Sequence, residues 1–507
     1  MKPPVIELAG IVKTFGALRA NDGVSLSVEA GSIHALVGEN GAGKTTLMKI
    51  LYGLYQPDAG VIRVAGEAVR LRSPADALAR GLGMVHQHFM LVRPLTVTEN
   101  ITLAREHRAG PFLDTARAAA DVRALSVRHG LAVDPDARVE TLSVGQEQRV
   151  EILKALYHGA KILILDEPTA VLTPQETEEL FTVLRELKAA GTTIVLITHK
   201  LREVLALADR VTVMRGGKTV GTRETAATSI AELAELMVGR PVLLTLEKTP
   251  ASPGAAVLEL DRLEARDDRG LPAVRGLSLA VHAGEIVGVA GVEGNGQAEL
   301  VEAILGLRRI AGGEARLAGA RLNGLAPRAI TALGVAHVPA DRLRRGLVLD
   351  FPLEDDLVFG RHREPAFHRG PLVNRAAVRE FATRRLAQFD VRPPDPSARA
   401  GNLSGGNQQK LVVAREFTRE ARLLIAAHPT RGMDLGAIEF IHREIVRQRD
   451  AGRAVLLVSS ELSELLALAD RIVVLYEGRI VHETPAHATD ERTLGEYMTG
   501  RAAGPGA

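Results

Sequence analysis

The chain has no cysteine among its 507 residues, which excludes disulfides, thiolate zinc sites and thiol catalysis. It has no charge imbalance either: 63 basic and 61 acidic residues leave a net charge of +2, with no long basic block. Nucleic acid is therefore not the expected partner. No apolar run reaches the roughly 18–20 residues of a spanning helix. Leu456–Tyr476 comes nearest and is interrupted by Glu461, Glu464, Asp470 and Arg471. The opening MKPPVIELAG has no apolar stretch of signal-peptide length. These absences predict a soluble, intracellular chain whose membrane role, if it has one, requires a separate membrane-embedded partner.

What is present is ordinary globular composition, 46% hydrophobic and 24% charged, over a length that exceeds a single core. The most informative stretch is Gly38–Thr46, GENGAGKTT, between the apolar run Ile33–Val37 and the helical pattern that opens at Leu47. Strand, glycine loop and helix in this order make a P-loop for a nucleoside triphosphate. The backbone of Gly38, Glu39, Asn40, Gly41, Ala42 and Gly43 curls round phosphates where a Cβ would obstruct. Lys44 reaches the outer phosphates, Thr45 offers a hydroxyl to Mg²⁺, and Thr46 continues the turn at a helix N-terminus suited to anions.

The same plan occurs twice. GVSLSVEAGSIHALVGENG from Gly23 returns as GLSLAVHAGEIVGVAGVEG from Gly276, and LALADRVTV from Leu205 returns as LALADRIVV from Leu466. MVGR at Met237 matches MTGR at Met498. The offset is 253 at the glycine loop and 261 at the later motifs, so the second copy carries about eight extra residues, expected in a helical insert. The layout is a first copy over 1–240, a Pro-, Ala-, Ser- and Gly-bearing linker over 241–256, a second copy over 257–501 and a tail over 502–507. Within each copy, β-rich runs such as KILILDEP and TTIVLITH alternate with amphipathic helical patterns, among them Pro174–Ala190 after its Thr173 cap. This alternation predicts an α/β fold on a largely parallel sheet, and Ala116–Gly130 reads as part of a helical subdomain.

An ordered set of residues follows the first P-loop. Phe15, upstream of it, is a candidate to stack on adenine. Gln87 follows a strand end and is placed to reach Mg²⁺ or the attacking water. Leu142-Ser143-Val144-Gly145-Gln146 opens a helix. The apolar run Ile162–Leu165 ends in Asp166-Glu167, the first acid supporting Mg²⁺ and the second orienting or activating water. His199 ends a further strand, where an isolated histidine is more often structural; as the last member of this series it reads as a γ-phosphate contact. Aromatic loop, P-loop, Gln loop, signature LSVGQ, Walker B and His loop in this order resemble the ATP-binding cassette (ABC) family over almost all of both copies. The resemblance implies two tandem P-loop cassettes, each a mainly parallel core sheet with flanking helices, an antiparallel β portion and a helical subdomain. It also implies that the cassettes pair head to tail within the chain, each ATP lying between one P-loop and the other copy's signature.

The second copy departs from this pattern. Gln297 and Ala298 stand where Lys44 and Thr45 would be, Ala340 replaces Gln87, Ala427 and His428 replace Asp166 and Glu167, and Ser460 replaces His199. Yet it keeps Leu403-Ser404-Gly405-Gly406-Asn407 and has Asp434 at the partner-facing position after Walker B, where the first copy has Thr173. Sorted by composite site, Lys44, Thr45, Gln87, Asp166, Glu167 and His199 join Ser404, Gly405, Gly406 and Asp434 in one complete set. The opposite set lacks its catalytic groups. The expectation is one hydrolytic site per chain and one degenerate site.

Two cassettes without membrane segments resemble the ATPase subunit of bacterial simple-sugar and nucleoside importers. GVAGVEGNGQAEL, NLSGGNQQKLVVARE and LLIAAHPTRGMDLGAIEFIH are most similar to the nucleoside branch. Relatives commonly have V-P-E-D-R where this chain has Val338-Pro339-Ala340-Asp341-Arg342, so that glutamate's role is not carried over. The resemblance implies ATP and Mg²⁺ as ligands, two transmembrane permease subunits, an extracytoplasmic solute-binding protein, and a peripheral location on the cytoplasmic side of the cell (inner) membrane. The alternatives are a sugar importer ATPase and, more remotely, a ribosome-associated cassette protein. The second of these is disfavoured by the short linker and the degenerate site.

Overall fold

The computed structural model describes residues 4–500 except Ala17, His88, Ala170, Val171, 242–247, Glu293, Arg363 and Asp434. The chain divides into two units, Met1–Val242 and Leu243–Ala507. In the first, a six-stranded sheet runs Lys218–Glu224, Arg210–Arg215, Ile33–Gly38, Thr193–Ile197, Ile162–Asp166, Leu82–Val85. All its pairings are parallel except that of the edge strand Lys218–Glu224. Ile33–Gly38, Ile162–Asp166 and Thr193–Ile197 are buried at every position, which is why their sequences are continuous apolar runs rather than alternations. A four-stranded antiparallel sheet, ordered Leu18–Glu29, Pro4–Phe15, Ala59–Val64, Glu67–Val69, packs on the other side of the P-loop helix Lys44–Leu51. Leu47, Met48, Ile50 and Leu51 of that helix are fully buried among residues of both sheets. Each such side chain contributes about 1.5–3 kcal/mol on leaving water, so the helix is held fast beneath the loop it follows.

The second unit repeats the plan. Its parallel sheet is ordered Val335–Val338, Leu423–Ala427, Ala454–Val458, Ile286–Ala290, Arg471–Tyr476, with the antiparallel edge strand Arg479–Pro485. Its antiparallel sheet is built from Pro272–His282, Ala256–Arg266, Ile310–Leu317 and Ala320–Arg321. Residues beside its start are tied to this unit: Lys248 Nζ donates to the carbonyls of Leu468 and Ala469 and lies 3.2 Å from Asp470, and Arg449 donates to the Thr249 carbonyl at 2.9 Å.

Helical segments in each unit form a subdomain between the Gln-loop position and the signature. In the first these are Val97–Thr102, Thr115–Arg128 and Val144–Tyr157; in the second, Leu353–Leu357, Arg375–Gln388 and Gly405–Phe417. The extra residues of the second copy do not lengthen the α-helix between the Gln-loop position and the signature. Thr115–Arg128 and Arg375–Gln388 are both 14 residues long. The offset instead steps from 253 at the strand starts Leu82 and Val335 to 256 at the caps Thr96 and Pro352. It then reaches 260 at the caps Asp114 and Asn374, and 261 at the caps Ser143 and Ser404. The additions therefore sit in the connections, where chain is inserted without disturbing packed faces. One of them accommodates a five-residue π-helical turn, Arg342–Gly346.

Candidate functional site

Parallel strands end together, and in open α/β sheets the carboxyl ends are where ligands bind. In the first unit Ile197 pairs with both Asp166 and Leu36, and Val85 pairs with Leu165. This register delivers Gly38, Glu167, Thr198-His199 and Gln87 to one edge of the sheet.

The loop is shaped by glycines that nothing else can replace. Gly43, with φ of 92°, ends the loop in the left-handed region, and a Cβ there would lie 2.3 Å from the Ala20 carbonyl oxygen. A Cβ on Gly38 would lie 2.3 Å from the Met214 carbonyl oxygen. Fully buried Asn21 donates to the Gly43 carbonyl at 3.1 Å, fixing the loop from beneath. Lys44 folds back along the loop, its Nζ donating to the carbonyls of Gly38 at 2.8 Å and Glu39 at 3.0 Å. Burial lowers its pKa, opposed by the charges of Glu167, Asp166 and Glu39.

Opposite the loop, Thr45 Oγ1 donates to Asp166 Oδ1 at 3.3 Å. Burial raises the Asp166 pKa, and the neighbouring Glu167 charge raises it further. A partly buried hydroxyl–carboxylate pair at the end of a P-loop is a hard-oxygen donor set that suits Mg²⁺, so the residues fit this ion.

Glu167 is held on both sides. His199 Nδ1 lies 3.0 Å from its Oε1, and Gln87 Nε2 donates to its Oε2 at 3.0 Å. The hydrogen bond with His199 is the largest influence lowering the Glu167 pKa, so the group stays a carboxylate. Its backbone is in the left-handed region, φ 50°, and its N–H donates to the Ile197 carbonyl at 2.9 Å. A non-glycine residue held there costs about 1–3 kcal/mol, and such strain gathers at functional sites. Phe15 is 43% exposed and edge-on to Tyr55 at 5.3 Å, with Lys13 Nζ over its ring 5.5 Å from the centroid.

The second unit keeps the backbone and loses the chemistry. Gly296 has φ of 101°, and His428 repeats the strained turn at φ 46° with its N–H donating to the Val458 carbonyl at 2.8 Å. Gln297 lies along the loop as Lys44 does, its Nε2 only 2.1 Å from where a Cβ on Gly291 would sit. Asn295 ties this loop to the neighbouring turn, its Oδ1 accepting from Glu477 N at 3.0 Å and its carbonyl from Gly478 N at 3.1 Å. Ala298 and Ala427 offer no oxygen for a cation, and Ser460 and Ala340 are exposed where His199 and Gln87 stand in the first unit. The chemistry of the donors does not fit Mg²⁺ here.

Both signatures open helices. Ser143 and Gln146 make a reciprocal capping box on Val144–Tyr157. Ser404 caps Gly405–Phe417, accepting from Asn407 Nδ2 at 2.9 Å, while Asn407 Oδ1 accepts from Arg392 N at 2.9 Å. Gly406 lies in the first turn of that helix, and Asp434 lies outside the described residues.

Comparison with known proteins bears on this arrangement. A family model described as ABC transporter matches residues 21–170 and 274–431, one stretch in each unit. The chain belongs to the ABC transporter family. It is 50% identical over 496 residues to the guanosine import ATP-binding protein NupO of Bacillus subtilis, covering 98% of this chain and 97% of that one. It is 48% identical to the nucleoside import ATP-binding protein NupA of Lactococcus lactis subsp. cremoris, covering 98% of each. The ribose import ATP-binding protein RbsA 1 of Streptomyces avermitilis is 42% identical, over 97% of this chain and 92% of that one. Among solved structures, the archaeal ribosome recycling factor aABCE1, in complex with the stalk protein aP1, aligns with a TM-score of 0.62 at 18% identity. That match covers 94% of this chain and 90% of that one and is a likeness of fold alone. As an ABC ATP-binding protein, the chain is an ATPase coupled to transport. Among the described residues no helix is long and apolar enough to cross a membrane.

Motif spacing pointed to Lys44, Thr45, Asp166, Glu167, Gln87 and His199, and the fold brings all six to one edge of the sheet. Asn21 was missed, because a buried amide bonding to a loop carbonyl leaves no spacing signal. The residues beside the two signature helices, Glu176 and Arg342, were missed for the same reason.

Proposed function

We propose that this chain is the ATPase subunit of a nucleoside importer, working through one hydrolytic site per chain. The observation that carries the single-site reading is Glu167, gripped by His199 and Gln87 beside the Thr45–Asp166 pair, against His428 and Ala427 at the corresponding places. Glu167 orients the attacking water and accepts its proton; His199 holds that carboxylate ionised and reaches the γ-phosphate. Lys44 and the loop N–H groups hold the phosphate chain, and Phe15 stacks on the base. Thr45, Asp166 and Gln87 would hold Mg²⁺, which would supply neutralisation of the phosphate charge.

Ser404, Gly405, Gly406, Asn407 and Asp434 complete this site when the two cassettes pair. ATP favours the paired state, and hydrolysis with phosphate release relaxes it. Two separate permease subunits in the membrane convert that cycle into transport, with an extracytoplasmic binding protein delivering solute. The chain is peripheral, on the cytoplasmic side. Relatives named for guanosine and nucleoside import at 50% and 48% identity over nearly the whole chain support nucleosides over sugars as cargo.

The test is uptake of labelled nucleoside in cells carrying the chain with its permease and binding protein. Guanosine or another nucleoside accumulates, excess ribose does not compete, and Glu167→Gln abolishes uptake. Ribose or galactose accumulation in place of nucleoside would replace this reading by a sugar importer. Co-purification with ribosomes instead of permease would overturn it.

A further inference from the structure

The helical subdomains of both units start on the same short helix, and one buried residue in it differs in chemistry. In the first unit Asn100, buried on Val97–Thr102, holds the preceding loop with its whole amide. Its Oδ1 accepts from Val92 N at 2.7 Å, and its Nδ2 donates to the carbonyls of Val92 at 3.1 Å, Leu95 at 3.4 Å and Thr96 at 3.0 Å. In the second unit fully buried Asp356, on Leu353–Leu357, takes this place. The surroundings correspond bond for bond. Val348 N donates to Asp356 Oδ1 at 3.1 Å, and Phe351 N donates to the Val348 carbonyl at 2.9 Å, as Leu95 N does to Val92 at 3.0 Å. Leu353 N donates to the Ala398 carbonyl at 2.9 Å, as Val97 N does to Ala137 at 2.9 Å. The remaining carboxyl oxygen, Asp356 Oδ2, is buried and has no hydrogen-bond partner among the described residues.

We propose that Asp356 is a proton-operated latch lying wholly within the second unit: protonated, it fastens the segment Leu347–Pro352 to the helical subdomain, and ionised, it releases that segment.

Asp356 Oδ1 takes the acceptor role of the Asn100 oxygen, so the planar carboxyl turns Oδ2 to the side where the Asn100 nitrogen meets carbonyls. A carboxylate is an acceptor only, and buried there it stays unpaired; a carboxylic acid has one O–H to donate, as the amide does. Burial is the largest influence on Asp356 and pushes its carboxyl up to about 6. The Val348 N–H and Arg415 act against this, and Asp355 adds to it. An aspartate ordinarily ionises near 3.8, so the released form gives up its proton first. The latch is therefore fully fastened below about pH 4, weakens as pH rises toward 6, and stays weakened above.

The charged groups around Asp356 are occupied with one another. On Gly405–Phe417, Arg415 Nη1 lies 3.9 Å from Oδ1 and donates to the Asp356 main-chain carbonyl at 3.4 Å, while its Nε donates to Glu416 at 2.7 Å. Glu416 is also paired with Arg419 at 2.9 Å. On Arg375–Gln388, Arg375 pairs with Asp355, and Arg379 with Glu354 at 2.9 Å. Arg361, beyond the helix, pairs with Glu364 at 2.8 Å. Asp395 and Arg399, in the segment bonded to the start of the helix, are exposed, as is Asp350 on the loop. Among the described residues none of these reaches Oδ2. An ionised Asp356 is relieved when the loop moves away and water reaches that oxygen. Phe351, on the loop, packs edge-on against half-exposed Phe359 at 6.3 Å, so release also changes the apolar surface of the second helical subdomain. Asn100 has no proton to lose in this range, and the first unit's loop stays fastened.

The test is amide hydrogen exchange of the full chain between pH 5 and pH 8, corrected for the intrinsic pH dependence of exchange, in wild type and Asp356→Asn. Protection of peptides covering 347–357 in wild type is expected to fall about tenfold across that range, the change set by ionisation near 3.8 when released and about 6 when fastened. Asp356→Asn restores the amide of the first unit, so its protection is expected to be independent of pH and about 10²-fold above wild type at pH 8. The fall is absent from peptides covering 94–101, where Asn100 holds the loop. Wild-type protection of 347–357 that is flat from pH 5 to pH 8, or an equal fall in Asp356→Asn, would overturn the latch. A fall shared by the whole second unit would overturn it as well, because the carboxyl would then act on global unfolding and not on this segment. If Asp356→Asn does not fold, the wild-type contrast decides alone, and an equal pH response in 347–357 and 94–101 would overturn the inference.

Discussion

The loop that Gly43 closes and the loop that Gly296 closes end on the same left-handed glycine and have opposite prospects. Gly43 and Gly296 close them at φ of 92° and 101°, and Glu167 and His428 face them from strained turns at φ of 50° and 46°. In one, a lysine, a threonine, two acids and a histidine converge. In the other, glutamine, alanines and an exposed serine stand in those places. Sheet register and glycine positions fix where the groups point, and on the proposed reading five or six side chains decide where ATP is hydrolysed. The chemistry of a cassette can therefore be lost without loss of its fold.

This contrast can be broken by matched substitutions. Glu167→Gln should reduce steady-state hydrolysis by about 10²-fold or more, whereas His428→Ala should leave it within about twofold, by the same phosphate-release assay. Lys44→Ala should weaken ATP binding about tenfold or more, the scale of one charge-assisted phosphate contact, while Gln297→Ala leaves the hydrolytic KM unchanged. Ser404→Ala and Ser143→Ala each remove a helix N-cap worth about 1 kcal/mol, so thermal stability should fall by a similar amount in both. Only Ser404→Ala should slow turnover; equal slowing in the two would erase the distinction between the signatures.

A smaller effect concerns the sheets. His34, in the P-loop strand, is buried against Thr212 Oγ1 at 2.8 Å, and burial pushes its pKa down to about 4. Its counterpart in the second copy is Val287. A histidine with a depressed native pKa stabilises fully above its unfolded value near 6.5, and that stability is lost as pH falls from there toward 4. The loss amounts to at most about 3 kcal/mol. His34→Val should flatten this part of the first unit's acid unfolding curve, followed by circular dichroism against pH; an unchanged curve would show that His34 does not titrate on unfolding.

The duplication, the parallel sheet and the glycine loop were legible because each has a local signature. Buried parallel strands are continuous apolar runs, and a P-loop requires glycines at fixed spacing. The location of the extra residues was not legible. An offset counts residues and does not say where they lie, and they fall in connections rather than in Arg375–Gln388. Arg342 and Glu176 were equally hidden, since each reaches a signature glycine through space from a separate segment. Asn21, whose amide holds the Gly43 carbonyl, is marked only by being a polar residue in a buried position of the strand Leu18–Glu29.

The central claim is one hydrolytic site per chain, and vanadate trapping of ADP tests it most directly, because the trapped complex forms only where γ-phosphate has been cleaved. The account predicts one ADP retained per chain at saturation, and none in Glu167→Gln. Two ADP per chain, or trapping that survives Glu167→Gln, would contradict it.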